Sequence, residues 1–190
     1  MKRKISSLAI VILLLFMAKV ISTAEISPPQ VGGIFPELEL LKSSNPVDLK
    51  YLGLSGSGIF KIQQVKADVV IIEIFSMYCP YCQGEAPNVN NLYTLIESNP
   101  SLRNRIKIIG IGINNSLFET DIFKNKYKIA FPLIPDGDFK LHKTIGQVRT
   151  PYFIVVKLKG DKAEVIYSKL GALGDNKVFL EQIVKSSGLK

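Results

Sequence analysis

The stretch Val69-Val70-Ile71-Ile72-Glu73-Ile74-Phe75-Ser76-Met77-Tyr78-Cys79-Pro80-Tyr81-Cys82 decides how this chain folds. Its first seven residues are apolar except for Glu73 and rich in β-branched side chains, the pattern of a buried strand. Two cysteines follow at once with C-x-x-C spacing. Beyond them Ala86, Val89, Leu92 or Tyr93, and Ile96 recur at helical spacing. The chain has only 2 cysteines, so neither is available for a bridge elsewhere. A structural disulfide over so short a loop would constrain the unfolded chain little. A closed zinc site needs four ligands, and the chain offers one histidine and no further cysteine. Where a strand gives way to a helix, such a pair reads as a redox-active dithiol. We therefore expect thiol–disulfide exchange, with no metal and no cofactor beyond the Cys79–Cys82 disulfide itself.

The 190 residues suffice for one domain with a sound core. The formal charge of +8 suggests nucleic acid at first sight. Residues 1–24, however, hold Lys2, Arg3, Lys4 and Lys19 and no acid, which leaves 20 bases against 16 acids, or +4, for the rest. That is an ordinary surface charge without a basic stripe, so no nucleic-acid partner is expected. Lys2-Arg3-Lys4, the apolar run Leu8–Ala18 and the small residues Ser22-Thr23-Ala24 describe a secretory signal peptide over residues 1–24. The run is shorter than the ~20 residues of a membrane span, although Val20 and Ile21 beyond Lys19 leave open an uncleaved anchor over residues 5–21. On either reading the domain of residues 25–190 works outside the cytoplasm, in a periplasmic or other extracytoplasmic space.

Along that domain, Val31–Leu40 ends in the alternation of a short half-buried strand, and residues 42–50, with Asn45-Pro46, read as a loop. Gly53–Gly58 lacks the Gly-Lys-Ser/Thr ending of a phosphate cradle and reads as a turn. Ile59–Ala67 is expected to be a short helix. Pro87 falls inside the helix that follows the cysteines, and Asn99-Pro100 ends it. Ile106–Ile113 is a second buried strand. Ser116-x-x-Glu119 is a capping box opening a helix that reaches about Tyr127. Phe131–Ile134 is a short strand, Phe139–Ile145 a short helix, and Tyr152–Leu158 with Ala163–Tyr167 a hairpin. Asp175 caps a last helix that Gly188 ends.

This order of elements, the C-x-x-C pair at a strand-to-helix turn and the later Thr150-Pro151-Tyr152-Phe153 resemble the thioredoxin superfamily, in particular its exported TlpA/ResA-like, redoxin-type branch. Gly33-Ile34-Phe35-Pro36-Glu37-Leu38-Glu39-Leu40 and Glu85-Ala86-Pro87 add to the likeness, which spans roughly residues 31–187. The resemblance implies an α/β fold, with a central mixed β-sheet flanked by helices and an N-terminal extension. The 72-position separation of Cys79 and Pro151 leaves room for the branch's helix–strand insertion, roughly 116–134. It further implies protein disulfide or dithiol substrates, a membrane electron donor or acceptor, and a monomer. Reduction is favoured over oxidation, although oxidase or isomerase behaviour of the DsbA type remains an alternative. Two departures stand out: Tyr78 replaces the usual Trp, and Pro80-Tyr81 also resembles glutaredoxins. A thiol peroxidase would show P-x-x-x-T-x-x-C, whereas Ile72 and Ser76 occupy those positions. A non-catalytic partner-binding module is the alternative from a different class.

Each candidate residue has a chemical role beside a plainer one. Cys79, at a helix N-terminus that favours the thiolate, is the expected nucleophile, and Cys82 the resolving thiol. Glu73, if buried, would carry a raised pKa and accept the Cys82 proton; the alternative is that it reaches solvent from a sheet edge. Glu85, one helical turn after Cys82, either opposes Cys79 ionisation or is a helix-start acid. By resemblance Pro151 is a cis-proline, Thr150 supplies backbone hydrogen bonds to an extended substrate, and Tyr78, Pro80 and Tyr81 contact it. His142 reads as a packing residue and Arg149 as a solvated charge or a guide for acidic partners.

Overall fold

The structure is a computed structural model and describes residues 27–189. The signal-peptide or anchor segment over residues 1–24 lies outside the described residues. Among those described, no helix is long and apolar enough to cross a membrane.

The elements in chain order are β1 (Leu40–Leu41), α1 (Pro46–Leu52), β2 (Ile59–Phe60), a 3₁₀ turn (Ile62–Gln64), β3 (Val69–Phe75), α2 (Pro80–Ser98) and β4 (Ile106–Ile113). Then come α3 (Leu117–Tyr127), β5 (Leu133–Asp136), α4 (Lys140–Thr144), β6 (Tyr152–Lys159), β7 (Lys162–Leu170) and α5 (Asn176–Ser187). The main sheet has the order β5-β4-β3-β6-β7, with β3 in the middle. It is mixed: β3, β4 and β5 run parallel, β6 pairs antiparallel with β3, and β7 pairs antiparallel with β6. The inserted strand β5 forms one edge, paired to β4.

All seven residues of β3 and all eight of β4 are buried, because helices or loops cover both faces of the sheet. Strand alternation divides the side chains of β3 between two cores. Val70, Ile72 and Ile74 pack with Leu52, Phe60 and Leu141 on one side, while Val69, Ile71 and Phe75 meet Val89, Phe123, Phe179 and Ile183 from α2, α3 and α5 on the other. Each aliphatic side chain so removed from water contributes about 1.5–3 kcal/mol. Gly110 and Gly112 in β4 make room for the Phe75 ring; a Cβ at Gly110 would meet Leu133 at 2.5 Å and Phe75 at 3.1 Å.

The sequence expectations hold best where a pattern is long. Ile106–Ile113 is a strand as read, the Ser116–Glu119 capping box opens α3, and Asp175 and Gly188 bound α5. Four short elements are corrected. Residues 42–50 are not all loop, since Asn45 caps Pro46–Leu52 by accepting from the Val47 amide at 2.9 Å. Ile59–Ala67 forms β2 and a 3₁₀ turn instead of a helix. Of Val31–Leu40, only an Ile34–Glu164 bridge and the start of β1 are strand-like. The short inserted strand lies at Leu133–Asp136, two residues later than expected, because its register is set by pairing to Gly110–Ile113.

Candidate active site

The site forms where β3 ends. Ser76–Tyr78 turn the chain, Cys79 is the N-cap of α2, and Pro80 occupies the first helical turn, where its missing N–H costs nothing. Two anchors fix this turn: the Met77 amide donates to Asn115 Oδ1 at 2.8 Å, and Gln83 Nε2 donates to the Met77 carbonyl at 2.8 Å. Asn115 is fully buried, at the junction of β4 and α3. The Tyr78 hydroxyl donates to Glu119 of α3, and that bond raises the phenol's pKa.

Both thiols are free, so the structure shows the dithiol form. They differ in environment. Cys79 is half-buried, with its Sγ 3.4 Å from the Thr150 carbonyl. Burial alone would push this thiol up. Hydrogen bonds from Thr150, from the backbone and side chain of Cys82 and from the Tyr81 backbone outweigh it and hold Cys79 below the ordinary thiol value. Cys82 is wholly buried, and that burial pushes its pKa strongly upward against a hydrogen bond from the Ser76 backbone. One thiol is thus prepared to attack and the other held protonated beneath it.

Glu73 lies on the α2-facing side of β3, with Val69, Ile71 and Phe75. It is 2% exposed, and its Oε1 has no hydrogen-bond partner among the described residues. Because β3 is central, no sheet edge gives this side chain a way to water. Burial, and then the charge of Glu85, push the carboxyl up to about 8.

Glu85 differs from both expectations. It lies beyond the first turn of α2, so it is no helix-start acid. It is buried, and its Oε1 accepts from the Leu173 amide at 2.9 Å and from Asn88 Nδ2 at 2.9 Å. Its charge acts on Glu73 below it, where the sequence suggested Cys79.

Beside Cys79 runs a groove of roughly 570 Å³, walled by Pro80, Tyr81 and Gly84 of α2, Arg149–Pro151, and Leu170–Ala172. The Thr150–Pro151 peptide bond is cis. The Pro151 carbonyl accepts from the Gly171 amide at 2.9 Å, but the Thr150 amide has no partner among the described residues. The structure therefore brings Pro80, Tyr81, Glu85, Thr150 and Pro151 to one groove, with Cys79 beside it at the Thr150 carbonyl and Cys82 buried. Glu73 is buried in β3, and Tyr78 lies outside the groove, tied to Glu119 of α3. His142 packs away from the site, with Nε2 2.9 Å from the Val148 carbonyl, and Arg149 lines the groove. Sequence reasoning missed Asn115, Gln83, Asn88 and the Leu170–Ala172 wall. The only available signal was Asn115, a polar residue between a buried strand and a capping box.

The Redoxin family matches residues 36–183, which take in every residue of this site. The chain belongs to the Redoxin family. Among individual proteins it is similar to the thiol-disulfide oxidoreductase ResA of Halalkalibacterium halodurans, with 22% identity over 112 residues. That alignment covers 59% of this chain and 60% of the relative, so it spans well under two thirds of the relative's length. The fold is that of the thioredoxin domain of a thiol-disulfide oxidoreductase from Bacteroides vulgatus (TM-score 0.61, 16% identity, 82% of this chain and 98% of that one). It is also shared with a secreted Mycobacterium tuberculosis disulfide oxidoreductase (TM-score 0.51, 16% identity, 68% and 90%). At such identities these two structures establish a thioredoxin-like fold for this redoxin.

Proposed function

We propose that this redoxin is an exported thiol–disulfide oxidoreductase that reduces disulfides in envelope or secreted proteins. The observation that carries the reading is the asymmetry of the two thiols: Cys79 at the surface with a lowered pKa, Cys82 buried with a raised one. In the proposed cycle the Cys79 thiolate attacks one sulfur of a partner disulfide. The S–S bond breaks, and the other partner sulfur leaves as a thiolate. Cys82 gives its proton to Glu73, directly or through one water, and attacks Cys79 in the mixed disulfide. The second partner sulfur is released, so the partner gains two electrons and Cys79–Cys82 becomes the disulfide. The Thr150 amide, without a partner among the described residues, supports docking of an extended partner backbone, and Tyr78, Pro80 and Tyr81 frame it. The basic, apolar and small-residue order of residues 1–24 supports export. A membrane dithiol donor that regenerates the reduced form, and action as a monomer, complete the proposal.

The test is the equilibrium reduction potential of the full chain against a dithiothreitol buffer. A value at or below about −250 mV supports the reductase; one near about −120 mV makes the protein an oxidase. Failure to find a reversible dithiol–disulfide couple overturns the catalytic reading.

A further inference from the structure

The walls of the groove bracket Cys79: Pro80 follows it in the chain, and the Thr150 carbonyl lies 3.4 Å from its Sγ. Residues flanking a partner sulfur bonded to Cys79 therefore meet these walls. Only Arg149 and Glu85 among the lining residues are charged, and no ion pair joins them. Glu85 is buried, and its Oε1 already accepts from the Leu173 amide and from Asn88 Nδ2, each at 2.9 Å. Arg149 is exposed and stands one residue before Thr150. Its guanidinium has no hydrogen-bond or ion-pair partner among the described residues.

Two further observations bear on what this charge does. Arg149 is not among the groups that act on Cys79: burial raises that thiol, and bonds to Thr150, Cys82 and Tyr81 lower it. The cation is thus left for the groove's occupant. The groove is also kept open at Gly84, inside α2, where glycine is a poorer helix former than alanine. A Cβ at Gly84 would meet nothing within 4 Å, so packing within the fold does not call for glycine there. The space that a larger side chain would take belongs to the groove.

We propose that Arg149 is a specificity-determining residue for disulfide exchange, favouring partner polypeptides that carry an aspartate or glutamate beside the target cysteine. The proposal rests on Cys79 being the attacking thiol. Reach is sufficient: Arg149 is one peptide unit, about 3.8 Å between Cα atoms, from the residue that touches Cys79, and the partner's acid is one unit from its cysteine. A carboxylate there meets a planar guanidinium that offers two parallel N–H donors. A basic side chain would face repulsion from Arg149, and the one carboxylate in the groove is buried and already bonded.

The test uses the full chain in its dithiol form and two capped pentapeptides with a central cysteine, each supplied as its disulfide-linked dimer. One has Glu and the other Gln on both sides of the cysteine. Each stopped-flow rate is divided by the rate of dithiothreitol with the same peptide, which removes the intrinsic reactivity of the disulfide. The wild type should favour the Glu peptide by about fourfold at low salt, less as salt screens the pair. Arg149→Gln should bring the ratio near one, and Arg149→Lys, which keeps the charge without the fork, should hold about twofold. Lys50→Gln, which removes an exposed cation on α1, should leave it near four. An unchanged ratio in Arg149→Gln, or no preference in the wild type, overturns the role of Arg149 and leaves the exchange reading intact. A shift of the Cys79 alkylation profile in Arg149→Gln also overturns it, since the charge would then act on the thiol. If the wild type reduces neither peptide, Cys79 is not the attacking thiol and both readings fall.

Discussion

The two ends of strand β3 are built on opposite terms. At its start, polar groups are paired. Asp68 accepts from Arg105 Nε at 2.6 Å and its amide donates to the Arg105 carbonyl at 2.8 Å, while the Leu158 amide donates to the Asp68 carbonyl at 2.8 Å. Two residue pairs further on, the buried Lys107 ammonium meets Glu97 at 3.4 Å, donates to the Arg103 carbonyl and lies 4.2 Å from the centre of the Tyr51 ring. At the end of the strand, bonding capacity is left unused among the described residues: a Glu73 oxygen and the Thr150 amide have no partner there, beside a thiol resting 3.4 Å from a carbonyl. Buried unpaired polar groups cost free energy and cluster where a protein does chemistry. The paired end stabilises the sheet; the underbonded end keeps donors and acceptors for a partner and for protons in transit.

The largest effect expected from breaking this contrast is at the thiols. Cys79→Ser should lower disulfide reduction by at least about a thousandfold while leaving the thermal midpoint nearly unchanged, since the side chain is half-buried and isosteric. Cys82→Ser should allow the first attack and stop there. Mass spectrometry after mixing with a disulfide partner should then find a stable mixed disulfide on Cys79. Absence of such an adduct would mean that the roles of the two thiols are reversed.

Glu73→Gln comes next and tests the underbonded end directly. A carboxyl with a pKa of about 8 is mostly protonated at neutral pH, so the fraction able to take the Cys82 proton grows as pH rises through about 8. Release of a mixed disulfide should follow that curve in the wild type. In the variant it should be slower by about a hundredfold and lack the inflection. Stability gives a second readout with a definite sign. The folded pKa stands above the unfolded value of about 4.3, so the native state holds an extra proton between the two. Its contribution is fully present below about pH 4.3 and is lost as pH rises toward 8, at roughly 1.4 kcal/mol per unit. Denaturant titrations at pH 5 and pH 8 should show that loss in the wild type and not in Glu73→Gln. A flat wild-type profile would mean that the carboxyl finds a partner in solution.

How much of this was legible in sequence depends on whether the cause is local. The buried runs Val69–Phe75 and Ile106–Ile113, the Ser116–Glu119 capping box and the Asp175 cap carry their own signals, and each element forms where those signals stand. Cys79, Cys82, Thr150 and Pro151 were legible for the same reason, as short motifs. The helix Pro46–Leu52 was not, because Asn45-Pro46 suits a loop as well as an N-cap. What commits it is tertiary: Asp48 is buried against Lys124 at 2.9 Å, 76 residues later. Glu85 was found as a residue but misread in role. Its partners, Leu173 and Asn88, set which neighbour feels its charge, and Leu173 is 88 residues away. Asn115 and the Leu170–Ala172 wall depend likewise on strand order, which no local pattern states.

At the paired end, Lys107→Met should act on stability alone. The substitution removes an ammonium that is 7% exposed, together with its bond to the Arg103 carbonyl and its contact with the Tyr51 ring. Glu97, at 31% exposed, can turn to water, so the loss should stay near 1–2 kcal/mol instead of the larger cost of a stranded buried charge. The reduction potential and the Cys79 alkylation profile should not move. A shift in either would show that the two ends of the sheet are coupled.

Asp68→Asn should have the smallest effect, and it sharpens the contrast most finely. Its carboxylate and the Arg105 guanidinium are both about half exposed, so water and salt screen their attraction, and pairs of this kind contribute about 0–1 kcal/mol. The backbone bonds from the Asp68 amide and to the Asp68 carbonyl persist in the variant, and they hold the start of β3 against Arg105 and Leu158. The unfolding free energy should therefore fall by no more than about 0.5 kcal/mol at low salt, and by less in 0.5 M salt. If the loss instead approached that of Lys107→Met and resisted salt, the side-chain pair would be organising this end of the sheet. The division between a paired end held by its backbone and an open end shaped by its side chains would then have to be redrawn.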